Sequence, residues 1–162
     1  MKPNSFQALA AVFALFFVST LSAQAASTRP TYPTVIGFEG LGRASSASVF
    51  FDRMFDENFA AGVGFGGGPV SMVPVYANYY LGAEQGSLYV TGGVSLVMNL
   101  NSVRGQESPA AGWTLTESVI PVLGAGYENR SDQGFLFRAT GYMAYTNKKF
   151  EPWAGVSLGY AF

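Results

Sequence analysis

The carboxyl-terminal end of the chain alternates strictly between larger apolar and small residues. From Ala154 to Phe162 one parity reads Ala, Val, Leu, Tyr, Phe and the other reads Gly, Ser, Gly, Ala. Successive side chains of a β-strand point to opposite faces, so this pattern predicts a strand with one apolar face and one small, weakly polar face. A strand that ends on an exposed Phe162 is typical of a transmembrane β-barrel, whose closing strand ends in the aromatic girdle at the bilayer edge.

The amino terminus has the three parts of a secretory signal peptide. Lys2 is a short basic region, Ala8–Val18 is an apolar run of 11 residues, and Ala23-Gln24-Ala25 is a small-x-small cleavage site. The apolar run is much shorter than the roughly 20 residues that a membrane-spanning helix needs. The sequence therefore predicts a cleaved signal peptide over 1–25, a short periplasmic segment over 26–33 and one β-barrel domain over 34–162.

The composition removes several classes of function. The chain contains no histidine and no cysteine, which excludes the Ser-His and Cys-His nucleophile pairs and the commonest metal ligands. The net charge is −1 and the only basic cluster is Lys148-Lys149, so a nucleic-acid partner is not indicated. The acidic residues form no obvious metal cage. We expect a protein that is not an enzyme and that carries no cofactor.

Eight alternating segments are separated by polar and glycine-rich connections. The predicted strands are 34–41, 46–55, 59–66, 72–81, 87–99, 113–128, 135–146 and 153–162. The connections after the second, fourth and sixth strands are short and charged. The other four, at 42–45, 67–71, 100–112 and 147–152, are looser. Bacterial barrels have short periplasmic turns and longer outer loops, so the predicted fold is all-β, an eight-stranded antiparallel up-and-down transmembrane β-barrel.

The parity of the side chains predicts a lipid-facing surface. The outward aromatic residues nearest the short turns are expected to form a ring at the periplasmic interface. They are Phe55, Phe59, Tyr79, Tyr127, Phe135, Tyr160 and Phe162. Three residues fit the predicted pattern of apolar outward positions and paired strands less well. Arg53 takes outward parity, which a bulge or a position at the interface would explain, and Pro74 and Pro121 fall within strands and are expected near outer ends or bulges.

Three charged residues take inward parity at nearly the same level of the predicted barrel. They are Glu39, Asp52 and Arg138. An arginine between two carboxylates is the arrangement that a low-dielectric lumen requires, because an unpaired buried charge is very expensive. One interpretation is a salt-bridged plug, since an eight-stranded interior is only just wide enough to be filled by side chains. The other is a polar gate, or a site for a proton or a ligand.

The glycine-rich segments also allow two interpretations. Gly64–Gly68 lacks the Gly-Lys-Ser/Thr ending of a phosphate loop and no helix follows it, so it is interpreted as an outer loop. Gly124-Ala125-Gly126 and Gly155–Gly159 place glycines in the lumen, where they give room to neighbouring side chains or line a ligand cavity. The long outer loop at 99–112 is the segment best suited to surface recognition.

The chain resembles the small eight-stranded outer-membrane β-barrel proteins, the size class of the OmpA transmembrane domain and OmpX. The resemblance rests on the export signal, the eight amphipathic strands, the segment from Tyr127 to Arg138 and the terminal run from Pro152 to Phe162. The family's assembly signal is a terminal aromatic residue with another two before it, matched by Phe162 and Tyr160. Its glycine position holds Ser157, so the match is partial.

The resemblance implies a location in the bacterial outer membrane, with outer-membrane lipid and the barrel-assembly machinery as partners. Some members of this size class act on lipid A, but their sites use a histidine, so no catalytic residue is carried over. We expect a structural or surface-interaction protein that acts through its outer loops and has a plugged lumen. The alternative is a binder or narrow conduit for a small apolar molecule, which the glycines and the inward tyrosines motivate. These tyrosines are Tyr76, Tyr80, Tyr89 and Tyr142.

Overall fold

A computed structural model describes residues 31–44, 46–67, 70–98, 104–105 and 116–162. The predicted signal peptide over 1–25 lies outside the described residues. The same holds for most of the predicted periplasmic segment over 26–33 and most of the long outer loop at 99–112.

Eight β-strands close into one barrel in which each strand pairs with its neighbours in the sequence, and β1 pairs with β8. The strands are β1 Thr34–Gly40, β2 Ala47–Met54, β3 Phe59–Gly67, β4 Met72–Tyr80, β5 Gly86–Val97, β6 Val119–Arg130, β7 Phe135–Thr146 and β8 Lys149–Ala161. All pairs are antiparallel, so the predicted all-β, eight-stranded up-and-down architecture is confirmed. Among the described residues no helix is both long and apolar enough to cross a membrane.

The largest differences from the predicted strand boundaries occur in β6 and β8, and the other strand ends agree to within two residues. β6 begins at Val119 rather than at 113, and it continues two residues further, to Arg130. β8 begins at Lys149 rather than at 153, so the predicted loose connection at 147–152 is wrong. Thr146 pairs with Lys149 across a two-residue turn.

The tight turn between β7 and β8 depends on two left-handed backbone positions. Asn147 has φ of 52° and Lys148 has φ of 61°. Positive φ at both central residues defines the type I′ turn, whose twist matches that of a β-hairpin. Asparagine tolerates this conformation, whereas lysine adopts it at a cost.

Replacing Lys148 by glycine should therefore stabilise the barrel. Glycine adopts positive φ without steric cost, and we expect the free energy of unfolding to rise by about 0.5–1 kcal/mol. Lys149→Gly is the matched control and should destabilise, because Lys149 lies in β8. Urea unfolding of the two variants in lipid vesicles measures both effects, and equal effects of the two substitutions would contradict the assignment of the turn.

The prolines interrupt pairing without producing bulges. Pro74 pairs with Ser95 of β5, but the β3–β4 pairing is broken on its other side. Pro121 pairs with Val94 of β5, and the β6–β7 pairing ends one residue later, at Val122. A proline has no N–H to donate, so each loses pairing on one side only. Arg53 points outward from a continuous ladder, so no bulge is needed to explain it.

The two faces of the barrel differ sharply in chemistry. The outer face carries large exposed apolar side chains on every strand, whereas most buried polar and charged side chains belong to strands and point inward. The predicted ring at the short-turn end is present as an outward-facing group. Its members Phe55, Phe59, Tyr79, Phe135, Tyr160 and Phe162 are 38–67% exposed, and Tyr127 is partly buried.

Candidate functional site

Among the described residues, six charged side chains are buried in the lumen, each at most 4% exposed. Three are carboxylates and three are guanidinium groups. They are Glu39, Asp52, Glu128, Arg43, Arg130 and Arg138. Burying a charge is tolerated only when it is paired, so this equal number of opposite charges makes the described part of the lumen an electrically neutral core.

Arg138 is the centre of the network nearer the short turns. Its Nη1 lies 2.5 Å from Oδ2 of Asp52, and its Nε donates to Oε2 of Glu128 at 2.6 Å. The other carboxylate oxygen of Glu128 accepts a bond from Arg130 Nη2 at 3.2 Å. Arg130 Nη1 also donates to the carbonyl oxygen of Tyr32 at 2.9 Å, so this network reaches the short-turn end of the barrel.

Tyrosine hydroxyl groups complete the coordination of these charges. Tyr76 donates to Asp52 at 2.5 Å and Tyr80 donates to Glu128 at 2.7 Å. Tyr80 also accepts a bond from Arg138 Nη2 at 3.1 Å. These tyrosines therefore serve the ionic network.

A second, separate ion pair lies nearer the opposite end of the barrel, which carries the β1–β2 and β5–β6 connections and is called the long-loop end below. The β1–β2 connection folds into the barrel after Leu41, which has φ of 54°, and Arg43 enters the lumen. Arg43 Nη1 donates to Oε1 of Glu39 at 3.1 Å, and the Arg43 backbone N–H donates to Oε2 at 3.0 Å.

The three predicted lumen charges are thus divided between two networks. The expected contact of Arg138 with Asp52 is present, but its second carboxylate is Glu128, and Glu39 pairs with Arg43. Strand register explains the difference. Asp52 pairs with Val35, four residues before Glu39, which separates the two carboxylates by about 13 Å along the strand. Glu128 and Arg138, in contrast, lie directly opposite each other.

Sequence reasoning missed Arg43 and Arg130 as lumen residues. Arg130 has the same parity as Glu128, so extending β6 by two residues would have identified it. Arg43 lies in a connection, where alternation gives no signal. Only the folded path of this loop places its side chain inside the barrel.

Aromatic rings fill the space that lumen-facing glycines leave. A Cβ added at Gly62 would lie 2.7 Å from the ring of Tyr76, and one at Gly124 would lie 2.9 Å from the ring of Tyr142. A Cβ at Gly37 would meet the ring of Phe50. At these positions, the glycines accommodate neighbouring side chains.

Gly93 offers a direct test of this packing. A Cβ at Gly93 would lie 2.2 Å from the carbonyl oxygen of Val75 and 2.7 Å from Cα of Tyr76. Because backbone atoms cannot rotate away, Gly93→Ala should lower the free energy of unfolding by about 1–3 kcal/mol. Gly92→Ala is the matched control, since its Cβ would meet only Leu123 Cδ2 at 3.3 Å. Chemical unfolding compares the two, and equal effects would contradict the packing.

In the part of the chain that the structure describes, apolar clusters lie towards both ends of the barrel. At the long-loop end the cluster consists of Ala44, Val70, Met72, Val97, Ile120, Val122, Tyr142 and Ala144, with Trp153 packed against it. Trp153 Nε1 donates to the carbonyl oxygen of Gly42 at 3.3 Å and so ties the infolded loop to β8. At the other end Val35, Phe50, Leu136 and Ala161 pack together, with Tyr32 against them.

The predicted assembly residues lie at the end of β8. Tyr160 pairs with Phe135 of β7 and Ile36 of β1. The backbone of Phe162 exchanges hydrogen bonds of 3.1 and 2.8 Å with Thr34. Both aromatic rings face outward and are available for recognition, and their role as an assembly signal stays a prediction. Within the described residues no group of three or more acidic residues is placed to hold a metal ion.

Comparison with known proteins identifies the fold. No protein-family model and no curated protein matches the chain. The N-terminal β-barrel domain of Pseudomonas aeruginosa OprF is similar in structure, with a TM-score of 0.54 and 16% identity over 80% of this chain and 96% of that one. At this identity the likeness shows a shared fold, which confirms the resemblance to small eight-stranded barrels.

Two further solved structures are less similar. The de novo designed TMB2.3 has a TM-score of 0.49 and 10% identity over 86% of this chain and 98% of that one. The Yersinia pestis outer membrane protein Ail, in a phospholipid bilayer nanodisc, has a TM-score of 0.47 and 15% identity over 80% of this chain and 97% of that one.

Proposed function

We propose that the chain is an integral, non-enzymatic barrel of the bacterial outer membrane, with a lumen closed by its own side chains and a role carried by its outer surface. The apolar outer face is the observation that carries this proposal. Large apolar side chains are exposed all the way from Ile36 and Phe38 on β1 to Leu158 and Tyr160 on β8. A continuous apolar surface of this kind is far larger than the patches that monomeric soluble proteins expose.

The height of the apolar face fits a bilayer. The outward rings of Phe150 on β8 and of Phe162, directly after β8, are 61% and 56% exposed and are separated by 12 residues. At about 3.3 Å per residue and a tilt of about 40°, this separation spans roughly 30 Å along the barrel axis. An outer-membrane barrel has an apolar band about 25 Å tall between two aromatic girdles. Tyr145 and Phe150, with ring centroids 5.1 Å apart, mark the second girdle.

The internal contacts of the lumen tyrosines favour a structural or surface role over a conduit. The tyrosines that motivated a small-molecule site are engaged internally, since Tyr80 contacts Glu128, Tyr142 contacts Glu39 and Tyr89 bonds with Thr140. An apolar ligand in the lumen would have to displace these contacts. A rigid barrel that presents connections at one end is instead suited to recognition through those connections.

Planar-bilayer recording tests the closed lumen, and membrane extraction tests the location. Purified protein should give no conductance above that of protein-free bilayers, and it should stay in washed outer membranes until detergent is added. A large wild-type conductance would overturn the closed lumen. A processed protein that is monodisperse in water without surfactant would overturn the membrane location.

Single cysteines test the orientation, because the chain has none of its own. Lys148→Cys lies in the β7–β8 turn and Gln133→Cys in the β6–β7 turn, and both positions are exposed. We expect a membrane-impermeant maleimide to label Lys148→Cys on intact cells and to label Gln133→Cys only after the outer membrane is permeabilised. The reverse pattern would show that the surface displayed outside is the short-turn end.

A further inference from the structure

The guanidinium group of Arg43 lies in a cavity that is built like a receptor for a flat cation. Its Nη1 donates to the Glu39 carboxylate at 3.1 Å. On the opposite side of the lumen its Nη2 donates to Thr91 Oγ1 at 3.1 Å and to Asn78 Oδ1 at 3.4 Å. These acceptors belong to three strands, β1, β4 and β5, so they are positioned by the barrel and not by the loop that carries Arg43.

Two aromatic faces complete the cavity. Cζ of Arg43 lies 3.8 Å from the ring centroid of Tyr76 and 5.0 Å from that of Tyr142. Both rings are buried. Aromatic rings at this distance attract a delocalised cation, and a planar guanidinium stacks on them better than a compact ammonium group does.

Arg43 differs from the other two buried arginines because it lies outside the strands, whereas Arg130 lies on β6 and Arg138 on β7. Arg138 lies on a strand between two carboxylates, whereas Arg43 lies on a connection between two strands and contacts one carboxylate.

If Arg43 left the lumen, the cavity would contain an unpaired negative charge. Glu39 is 1% exposed and would become an unpaired buried carboxylate. The remaining charges around Arg138 pair among themselves, so the vacated cavity would require a single positive charge. A flat monocation that donates hydrogen bonds at its edge would neutralise Glu39 and bond to the same acceptors as Arg43.

We propose that the long-loop half of the lumen is a guanidinium-binding site, which Arg43 occupies in the closed barrel and which accepts a guanidinium-bearing ligand when the β1–β2 connection leaves the lumen. This inference depends on the lumen contacts and not on the location of the protein. The experiments use detergent-solubilised full chain, so they can fail while the proposed membrane role stands.

The first experiment removes the internal occupant. Arg43→Ala should bind methylguanidinium about tenfold more tightly than methylammonium at equal ionic strength, seen as a saturable rise in Tm. The double variant Glu39→Gln/Arg43→Ala should lose this binding, because the carboxylate that selects the cation is gone. Equal stabilisation by the two cations, or none, overturns the proposal. If Arg43→Ala does not refold alone, methylguanidinium should restore refolding, and failure to do so also overturns it.

The second experiment asks whether the wild-type site can exchange its occupant. Trp153 bonds to Gly42 and so reports on the connection, and Trp113→Phe makes Trp153 the single tryptophan. The monocation N-acetylarginine amide should change Trp153 emission in a saturable way, and N-acetyllysine amide at equal ionic strength should not. No change with N-acetylarginine amide would show that the cavity belongs to Arg43 alone, and the proposal would be wrong.

Discussion

Arg138→Ala is expected to lower the free energy of unfolding by about 3–5 kcal/mol. The substitution removes the cation that lies between Asp52 and Glu128 and leaves both carboxylates in the lumen. Glu128 keeps Arg130 at 3.2 Å, whereas Asp52 loses its cation and keeps, among the described residues, the hydroxyl of Tyr76. The expected cost is therefore that of an uncompensated buried charge, which is much larger than the net value of an ion pair at a surface.

Equilibrium unfolding in urea, followed by tryptophan fluorescence in lipid vesicles, measures this loss. Arg53→Ala is the matched control, because it removes an outward-facing arginine from the neighbouring ladder and should change stability by about 0–1 kcal/mol. The double variant Arg138→Ala/Asp52→Asn should recover part of the loss, since it neutralises the unpaired carboxylate. We expect conductance to stay at background, because the substitution leaves the Arg43–Glu39 pair and the apolar clusters in place. Equal effects of Arg138→Ala and Arg53→Ala would contradict the ionic core.

Val63→Arg is expected to destabilise the membrane-embedded barrel by about 2–4 kcal/mol. Val63 points outward from β3 and is 43% exposed, with Phe51 and Val75 beside it on the neighbouring strands. It lies between Phe59 at the short-turn end and Phe65 further along β3, at a depth where an arginine would contact acyl chains. In a water-soluble barrel the same substitution would place a charge in solvent and cost almost nothing.

Comparing substitutions at position 63 distinguishes a membrane-embedded barrel from a water-soluble one. Val63→Ala is the size control and should cost less than Val63→Arg. Arg53 shows that an arginine is tolerated near the short-turn end of the same face. Unfolding in vesicles of defined lipid gives the difference between the two Val63 variants. If arginine at position 63 were tolerated as well as alanine, the outer face would not be in contact with hydrocarbon.

The strands and the direction of their side chains were predictable because barrel strands alternate with a period of two. The outward aromatic ring and the inward positions of Glu39, Asp52 and Arg138 followed from parity alone. The ends of strands were less predictable, since the turn at Asn147-Lys148 has no glycine and Pro152 lies inside β8. Pro152 was expected to end the strand. It lies within β8 because it pairs with β7 on one side only, and on the unpaired side its missing N–H costs no hydrogen bond.

The partners inside the lumen were only partly predictable. The contact between Asp52 and Arg138 was expected, but the division into two networks was not. A pair such as Glu128 and Arg138 depends on which residues face each other across two strands. The register sets this, and a shift of one residue would turn every side chain to the other face. The entry of Arg43 depends on a connection that has no periodicity at all.

The sequence by itself determined that this chain forms amphipathic strands that must close on themselves, because alternation is a local property and unpaired strand edges are costly. Only the tertiary structure decided that the lumen holds two separate ionic networks, that aromatic rings pack against lumen-facing glycines and that an arginine of the β1–β2 connection pairs with Glu39 inside the barrel. These features depend on distances between residues far apart in the chain, which are set by the stagger of the closed sheet and by the path of a connection through its interior.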